Sequence, residues 1–297
     1  MITDPDNVYN AEYSSSTGTF LIENIAPGAY WLVATSMQEL DAPLTENELG
    51  EIRTRMGFFK MAFGIDLAAQ ISIDMPATEV TNVVLTLSRG TSIPVRLAIE
   101  ATDPSVIKDI DEIRVQLAPP IFSWLARESG RFGSDGISKI EGVLPGEYRV
   151  SVGNLTNELY VKEIRYLRTD GLTDLVRIGD QTPDVLNVVL STSGGEIQGT
   201  VVDALSKPVA DSEVVLIPNQ RERKDLYRTA ITDSNGRFVF RALAPGGYGA
   251  FSWHGLEPNS FYDPDVLSQY ESQSRPVQVR ESTKETTDLK VITAPKP

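Results

Sequence analysis

The sequence predicts an all-β fold made of tandem antiparallel β-sandwiches, and three observations support this prediction. A motif that runs from a glycine to a tyrosine occurs three times, at 18–30, 136–148 and 236–248. Apolar residues alternate on both sides of each motif, which is the periodicity of a half-buried strand. A similar apolar strand closes each repeat. Repeated units of about 100 residues with short strands and frequent turns are typical of β-sandwiches.

Each motif predicts a strand, a tight turn and a second strand. In the third copy, Phe238 and Phe240 alternate as the inward residues of a half-buried strand. Pro245 and Gly246 then supply the backbone angles that a type II turn requires. Tyr248 begins the next alternating run. The motif therefore predicts a β-hairpin in each of the three units.

The closing strands, predicted at 82–87, 187–191 and 288–292, set the boundaries between the units. A short polar junction that contains glycine follows each of the first two closing strands, as is usual where one unit ends. The predicted domains are therefore 1–89, 90–193 and 194–297. The short junctions predict limited rather than free hinge motion between units.

The first unit differs from the third in two ways. Thr45 and Glu48 form a capping box before apolar residues at helical spacing, so a short inserted helix is predicted near 45–57. Aligning the motif glycines places Tyr9 against Tyr227, so the first unit lacks counterparts of two strands. A sandwich without them exposes unpaired edge groups and half of its inner face. The missing strands come either from an upstream part of the polypeptide or from another chain.

Composition excludes several classes of function. The 297 residues carry 41 acidic and 27 basic side chains, a net charge of −14, which disfavours binding to nucleic acid or anionic membranes. No apolar stretch reaches the ~20 residues that span a bilayer, so no membrane insertion by this chain is expected. Without cysteine and with His254 as its one histidine, the chain lacks the residues of most metal sites and catalytic triads. We therefore predict no catalytic residue, no cofactor and no metal site.

The third unit resembles a known domain family. Its opening strand after Gly195, its Asp233-Ser-Asn-Gly236 turn and its Pro245-Gly-Gly-Tyr248 corner occur in the order found in the carboxypeptidase regulatory-like domain family. The resemblance covers nearly all of 195–293, is weaker in the second unit and is limited to the later half of the first. It implies an immunoglobulin-like, prealbumin-like (transthyretin-like) sandwich, related to the pilin B-type repeats of bacterial tandem-repeat proteins.

The resemblance also implies a function. In this family the domains accompany other domains in exported or cell-surface bacterial proteins, and they lack the activity of the metallocarboxypeptidase domain beside which they were named. The implied function is a non-catalytic structural or accessory module, with upstream domains of a longer chain as its partners. The implied location is extracellular, cell-surface or periplasmic, with any export signal upstream.

The alternative function is binding of carbohydrate or peptide, because one segment of the third unit combines aromatic and acidic residues. Trp253, Tyr262 and Tyr270 can provide a stacking platform for a sugar, with Glu257 and Asp263 accepting hydroxyl hydrogen bonds. The simpler interpretation is that these rings pack a long crossover onto the sandwich. An open, coplanar patch would favour binding, whereas burial would favour a structural role.

Overall fold

The chain is built almost entirely from β-strands wherever its structure is described, as the sequence predicted. The computed structural model describes residues 9, 11–37, 65–101, 110–120, 126–179 and 181–293. These residues contain a single short α-helix and a few 3-10 turns in addition to the strands. The helix predicted near 45–57 lies outside the described residues.

The strands are numbered in chain order. They are β1 (Glu12–Ser14), β2 (Thr19–Leu21), β3 (Gly28–Met37), β4 (Ile65–Met75), β5 (Thr91–Glu100), β6 (Arg114–Ala118), β7 (Arg127–Glu128), β8 (Ile137–Val143), β9 (Gly146–Gly153), β10 (Tyr160–Tyr166), β11 (Thr169–Asp170), β12 (Val176–Ile178), β13 (Leu186–Ser191), β14 (Gly195–Val202), β15 (Glu213–Pro218), β16 (Arg228–Ile231), β17 (Arg237–Leu243), β18 (Gly246–His254), β19 (Arg275–Val279), β20 (Lys284–Thr286), β21 (Leu289–Lys290) and β22 (Ile292–Thr293). The helix α1 is Pro264–Ser268, and 3-10 turns lie at Ile110–Glu112, Lys224–Leu226, Ser260–Tyr262 and Glu271–Gln273.

The third unit is a two-sheet sandwich. One sheet has the order β17-β14-β20, with β21 also paired to β14, and the other has the order β16-β15-β18-β19, with β22 paired to β18. A core that includes Ile197, Leu216, Phe238 and Tyr248 joins strands from both sheets. The opening strand and the two motif strands predicted here are present as β14, β17 and β18, and the closing strand predicted at 288–292 is present as the two short strands β21 and β22. The alternating apolar positions are the residues that form this core.

The second unit is also a two-sheet sandwich, with the orders β11-β10-β13-β5-β8 and β12-β9-β6-β7. Its core includes Ile93, Leu117, Ile140 and Val188. The closing strand pairs in parallel with the opening strand in both complete units: β13 with β5, and β21 with β14. The boundaries at 90 and 194 stay predictions of the sequence.

The motif tyrosines of both complete units close the corner after the motif turn. The Tyr148 hydroxyl donates to the carbonyl oxygen of Leu144 at 2.8 Å, and the Tyr248 hydroxyl donates to that of Ala244 at 2.9 Å. Burial raises the pKa of each phenol to about 12. Each corner therefore depends on a buried, protonated phenol.

The prediction of a closing strand at 82–87 is wrong. These residues form no strand, and Val84 is 77% exposed. The neighbouring Ser88 makes a single bridge with Ala68 of β4. A closing strand in this fold needs an opening strand beside it. The described part of the first unit contains two hairpins, β1-β2 and β3-β4, and no such opening strand.

Candidate functional site

The predicted ligand site coincides with a second apolar cluster, on the outer face of the third sandwich. The strand β15 is buried on both faces: Val214 and Leu216 contribute to the inner core, and Val215 and Ile217 to this outer cluster. The outer aromatic cluster consists of Val215, Ile217, Phe251, Trp253, Phe261, Leu267, Tyr270 and Ile292. It joins β15, β18 and β22 to the crossover between β18 and β19.

Local sequence explains how the crossover covers this face. The Asp263 side chain accepts a hydrogen bond from the backbone N–H of Asp265 at 2.8 Å, and Pro264 occupies the first turn of α1. Both are favourable at a helix start. The short helix then places Leu267, and after it Tyr270, in the cluster, where both are buried.

Two of the three predicted platform aromatics are core residues. Trp253 is 2% exposed and stacks on Phe251, with ring centroids 4.7 Å apart and an interplanar angle of 8°. Tyr270 is buried and meets Trp253 edge-on at 5.8 Å. The three rings therefore do not form the one open, coplanar patch that would have favoured binding, and the burial of Trp253 and Tyr270 agrees with the simpler interpretation that they pack the crossover onto the sandwich. The physical reason is that the crossover lies over the outward rings of β18, so that they pack against protein rather than stand free.

The other predicted ligand residues remain at the surface. Tyr262 is 37% exposed; its ring centroid lies 4.8 Å from that of Tyr227, and the Lys224 ammonium lies 5.7 Å from it. Glu257 and Asp263 are exposed, although Asp263 already caps α1. Ligand binding by the five predicted residues stays a prediction, and the structure supplies one accessible ring for it rather than three.

Two ion pairs involve arginines of the loop between β15 and β16. The buried Arg223 guanidinium donates to both carboxylate oxygens of Asp225 at 2.8 Å. Burial alone would lower the pKa of Arg223, but the hydrogen bonds and charge of Asp225 raise it overall. Arg221 pairs with Glu271 at 2.9 Å, and this pair connects the loop between β15 and β16 to the crossover.

Side chains that bind metals do not converge in the described residues. No group of three or more His, Asp or Glu side chains in the described ranges could hold a metal ion. His254 is exposed at the end of β18. No helix in the described part of the chain is long and apolar enough to cross a membrane.

Packing of the crossover onto the sandwich was the simpler interpretation of the sequence, but the burial of β15 on both faces was not predicted, although a signal for it was present. Residues 214–217 form an uninterrupted apolar run, which indicates a strand buried on both faces. The equivalent strand of the second unit, β6, alternates between buried and half-buried residues. The difference between these two strands predicts an additional layer over the third unit alone.

Comparisons with known proteins support the domain assignment of the third unit. Residues 196–291 match the family model of the carboxypeptidase regulatory-like domain. The resemblance predicted from the sequence is therefore confirmed over that range. No curated protein matches the chain.

The chain is also similar to several solved structures. A streptococcal ancillary pilin is 11% identical, with 95% of this chain and 80% of that chain covered and a TM-score of 0.29. A minor pilin of Streptococcus agalactiae is 13% identical, with 70% and 98% covered and a TM-score of 0.33. A putative carbohydrate binding protein of Pseudomonas aeruginosa is 18% identical, with 33% and 88% covered and a TM-score of 0.24.

Proposed function

We propose that the chain is a non-catalytic structural module of an exported or cell-surface bacterial protein. Its role is to hold other parts of that protein at a fixed separation. The observation that carries this proposal is the direct bonding between successive units at both junctions. The match of residues 196–291 to a domain family that accompanies other domains supports the same role.

The second junction is bridged by side chains of both units. The Glu281 carboxylate accepts a hydrogen bond from the Tyr160 hydroxyl at 3.3 Å and lies 3.4 Å from the Lys162 ammonium. Lys162 also pairs with Glu100 at 2.7 Å. The hydrogen bonds of Lys162 to Glu100 and Glu281 raise its pKa. Such partly exposed ion pairs contribute about 0–1 kcal/mol each, so they orient the units more than they stabilise them.

Backbone packing fixes the start of each unit that follows a junction. A Cβ atom added to Gly90 would lie 2.6 Å from the Val143 carbonyl oxygen, and one added to Gly194 would lie 2.6 Å from the Ala242 Cα. Each junction glycine therefore sits directly on the strand that precedes a motif turn. The Ser282 N–H also donates to the Ser193 carbonyl at 2.9 Å, across the second junction.

The first junction uses the tyrosine corner of the second unit. The Gln70 amide of β4 donates to the Pro145 carbonyl at 3.1 Å and to the Tyr148 hydroxyl at 3.3 Å. This amide therefore contacts the corner that fixes the second sandwich. The contact supports the proposal that the unit before the junction and the unit after it move together.

A Gly194→Ala substitution is expected to disturb the start of the third unit, next to the second junction, because the new methyl group has to displace the Ala242 backbone of the same unit. Overpacking of this kind destabilises by about 1–3 kcal/mol. Thermal unfolding of the full chain, together with small-angle scattering, would show a lower melting temperature and a changed radius of gyration. Gly153→Ala is the matched control, because a Cβ there meets nothing within 4 Å. Equal behaviour of the two variants would contradict a packed junction.

A further inference from the structure

We propose that β2 and β3 of the first unit form a docking surface for two added β-strands. The occupant we infer is a polypeptide segment of two strands with apolar residues on their inward faces, as β14 has at Ile197 and Val201 and β15 at Val214 and Leu216. The inference goes beyond the structural role proposed above and does not depend on it. It rests on a comparison of the three copies of the motif within this chain.

In both complete units the two motif strands pair with two strands that precede them. The first motif strand pairs with the opening strand, as β8 with β5 and β17 with β14. The second motif strand pairs with the next strand, as β9 with β6 and β18 with β15. In the first unit, β2 pairs only with β1 and β3 only with β4 among the described residues. Two strand positions of the first unit therefore have no occupant within the described ranges.

The inward side chains of the motif are less buried in the first unit than in the third. Phe20, Ile22 and Tyr30 occupy the motif positions of Phe238, Phe240 and Tyr248. The three residues of the third unit are buried, at 4%, 5% and 2% exposure, whereas their counterparts in the first unit are only half-buried. Apolar and aromatic side chains at equivalent motif positions are thus buried in the third unit and partly open to solvent in the first.

The first glycine of the motif locates the empty position. In the complete units its carbonyl accepts a hydrogen bond from the opening strand at 2.8 Å, from Leu97 to Gly136 and from Val201 to Gly236. A Cβ atom on either glycine would lie within 2.8 Å of a carbonyl oxygen of that strand. Gly18 has the same backbone conformation, with φ of +69°, yet no atom of the described residues lies within 4 Å of its Cβ position. The turn at Gly18 therefore has the backbone conformation that it has in the complete units, but no opening strand lies beside it among the described residues.

The complete units also define what fits. The opening strand runs antiparallel to the first motif strand, with Ile197 opposite Phe240, and the next strand places Leu216 opposite Ala250. Ile197 and Leu216 are both fully buried. By motif equivalence, an added segment of this type places its two apolar residues opposite Ile22 and Leu32. Two-stranded hairpins alone are marginally stable in water. Pairing of an added strand with the free edge of β2, and of another with the free edge of β3, is therefore strongly favoured.

The inference accounts for the missing closing strand of the first unit. In the complete units that strand pairs in parallel with the opening strand. An added opening strand would therefore give residues 82–87 a partner. We expect these residues to become a strand when the docking surface is filled, as their sequence predicts.

The test uses the full chain and a synthetic peptide of residues 195–218, which contains the sequences of β14 and β15. Amide hydrogen exchange is measured at β2, at β3 and at 82–87. We expect slower exchange at all three places with this peptide. No slowing is expected with a control peptide that carries lysine at the positions of Ile197 and Val201. Protection at 82–87 is the diagnostic result, because adsorption to an exposed face would not create a parallel pair there.

Two variants locate the surface. Phe20→Asp places a carboxylate on the inward face and is expected to weaken peptide binding by about tenfold or more. Leu21→Asp, at a 53% exposed position on the opposite face, is expected to leave binding unchanged. Unaltered exchange at β8 and β9 verifies that each variant keeps its second unit folded.

Three results would overturn the inference. The first is equal protection by the two peptides or by neither. The second is exchange in the free chain that is already as slow at β2 and β3 as at β8 and β9. The third is self-association that protects the same amides without peptide, which would identify a second copy of the chain as the occupant.

Discussion

Replacement of Trp253 by alanine is expected to lower the free energy of unfolding of the third sandwich by about 3–5 kcal/mol. The indole is 2% exposed and lies between Phe251 and Tyr270, so its removal leaves a cavity among aromatic rings. The cavity would also separate the crossover from β18, because Trp253 is the ring on which Tyr270 packs. A residue of a surface binding platform would show a much smaller effect.

Native-state hydrogen exchange of the β15 and β18 amides in the full chain measures this loss without depending on tryptophan fluorescence. Tyr262→Ala is the control from the same predicted site, and its partly exposed ring is expected to contribute less than about 1 kcal/mol. Similar small effects of both substitutions would contradict the assignment of Trp253 to the core. A large loss in Trp253→Ala alone would support a structural role for this region.

The second large effect is an alkaline loss of stability. Burial raises the pKa of Tyr148 and Tyr248 to about 12 in the folded chain, from an ordinary value of 10.0. Ionisation therefore favours the unfolded state, and the stabilisation is complete below pH 10. It is lost as the pH rises from 10 through about 12. The difference between a pKa of 10.0 and one of about 12 corresponds to a loss of about 2.7 kcal/mol in the free energy of unfolding for each tyrosine, once the pH exceeds both values.

Urea unfolding of the wild type at pH 9 and pH 11.5, followed by circular dichroism, would reveal this loss. Tyr148→Phe and Tyr248→Phe each remove the corner hydrogen bond, which lowers stability at neutral pH by about 1 kcal/mol. Each variant should nevertheless lose less stability than the wild type between the two pH values. Tyr13→Phe, at a 68% exposed position, is the control. An unchanged pH dependence in the corner variants would show that these phenols are not buried as described.

The fold was largely predictable because one physical signal recurs. Alternating apolar residues predicted the two motif strands of the third unit, and Phe238 and Phe240 are buried as the pattern requires. The motif also located the tyrosine corner, although not its hydrogen bond to a carbonyl four residues earlier. Local periodicity and turn chemistry are sufficient to predict these elements, because both depend only on residues that are consecutive in the chain.

What sequence reasoning missed depends on contacts between distant segments. Residues 82–87 have the pattern of a strand, but a strand also needs a partner, and none lies beside them among the described residues. The aromatic residues of 253–270 look alike in sequence, yet Trp253 and Tyr270 are buried while Tyr262 is not. The position of the crossover decides their exposure, and a single strand pattern does not contain that information.

The central claim is that the second and third units keep a fixed mutual arrangement. The chain contains no cysteine, so two spin labels can be attached at introduced cysteines, Ile137→Cys in β8 and Ile231→Cys in β16. Both positions are at least 50% exposed. A label pair at Leu205 and Ile231, within the third unit, gives the reference width. Electron–electron distance measurement should give one distribution between units nearly as narrow as this reference, whereas a broad or multiple distribution would contradict the structural role.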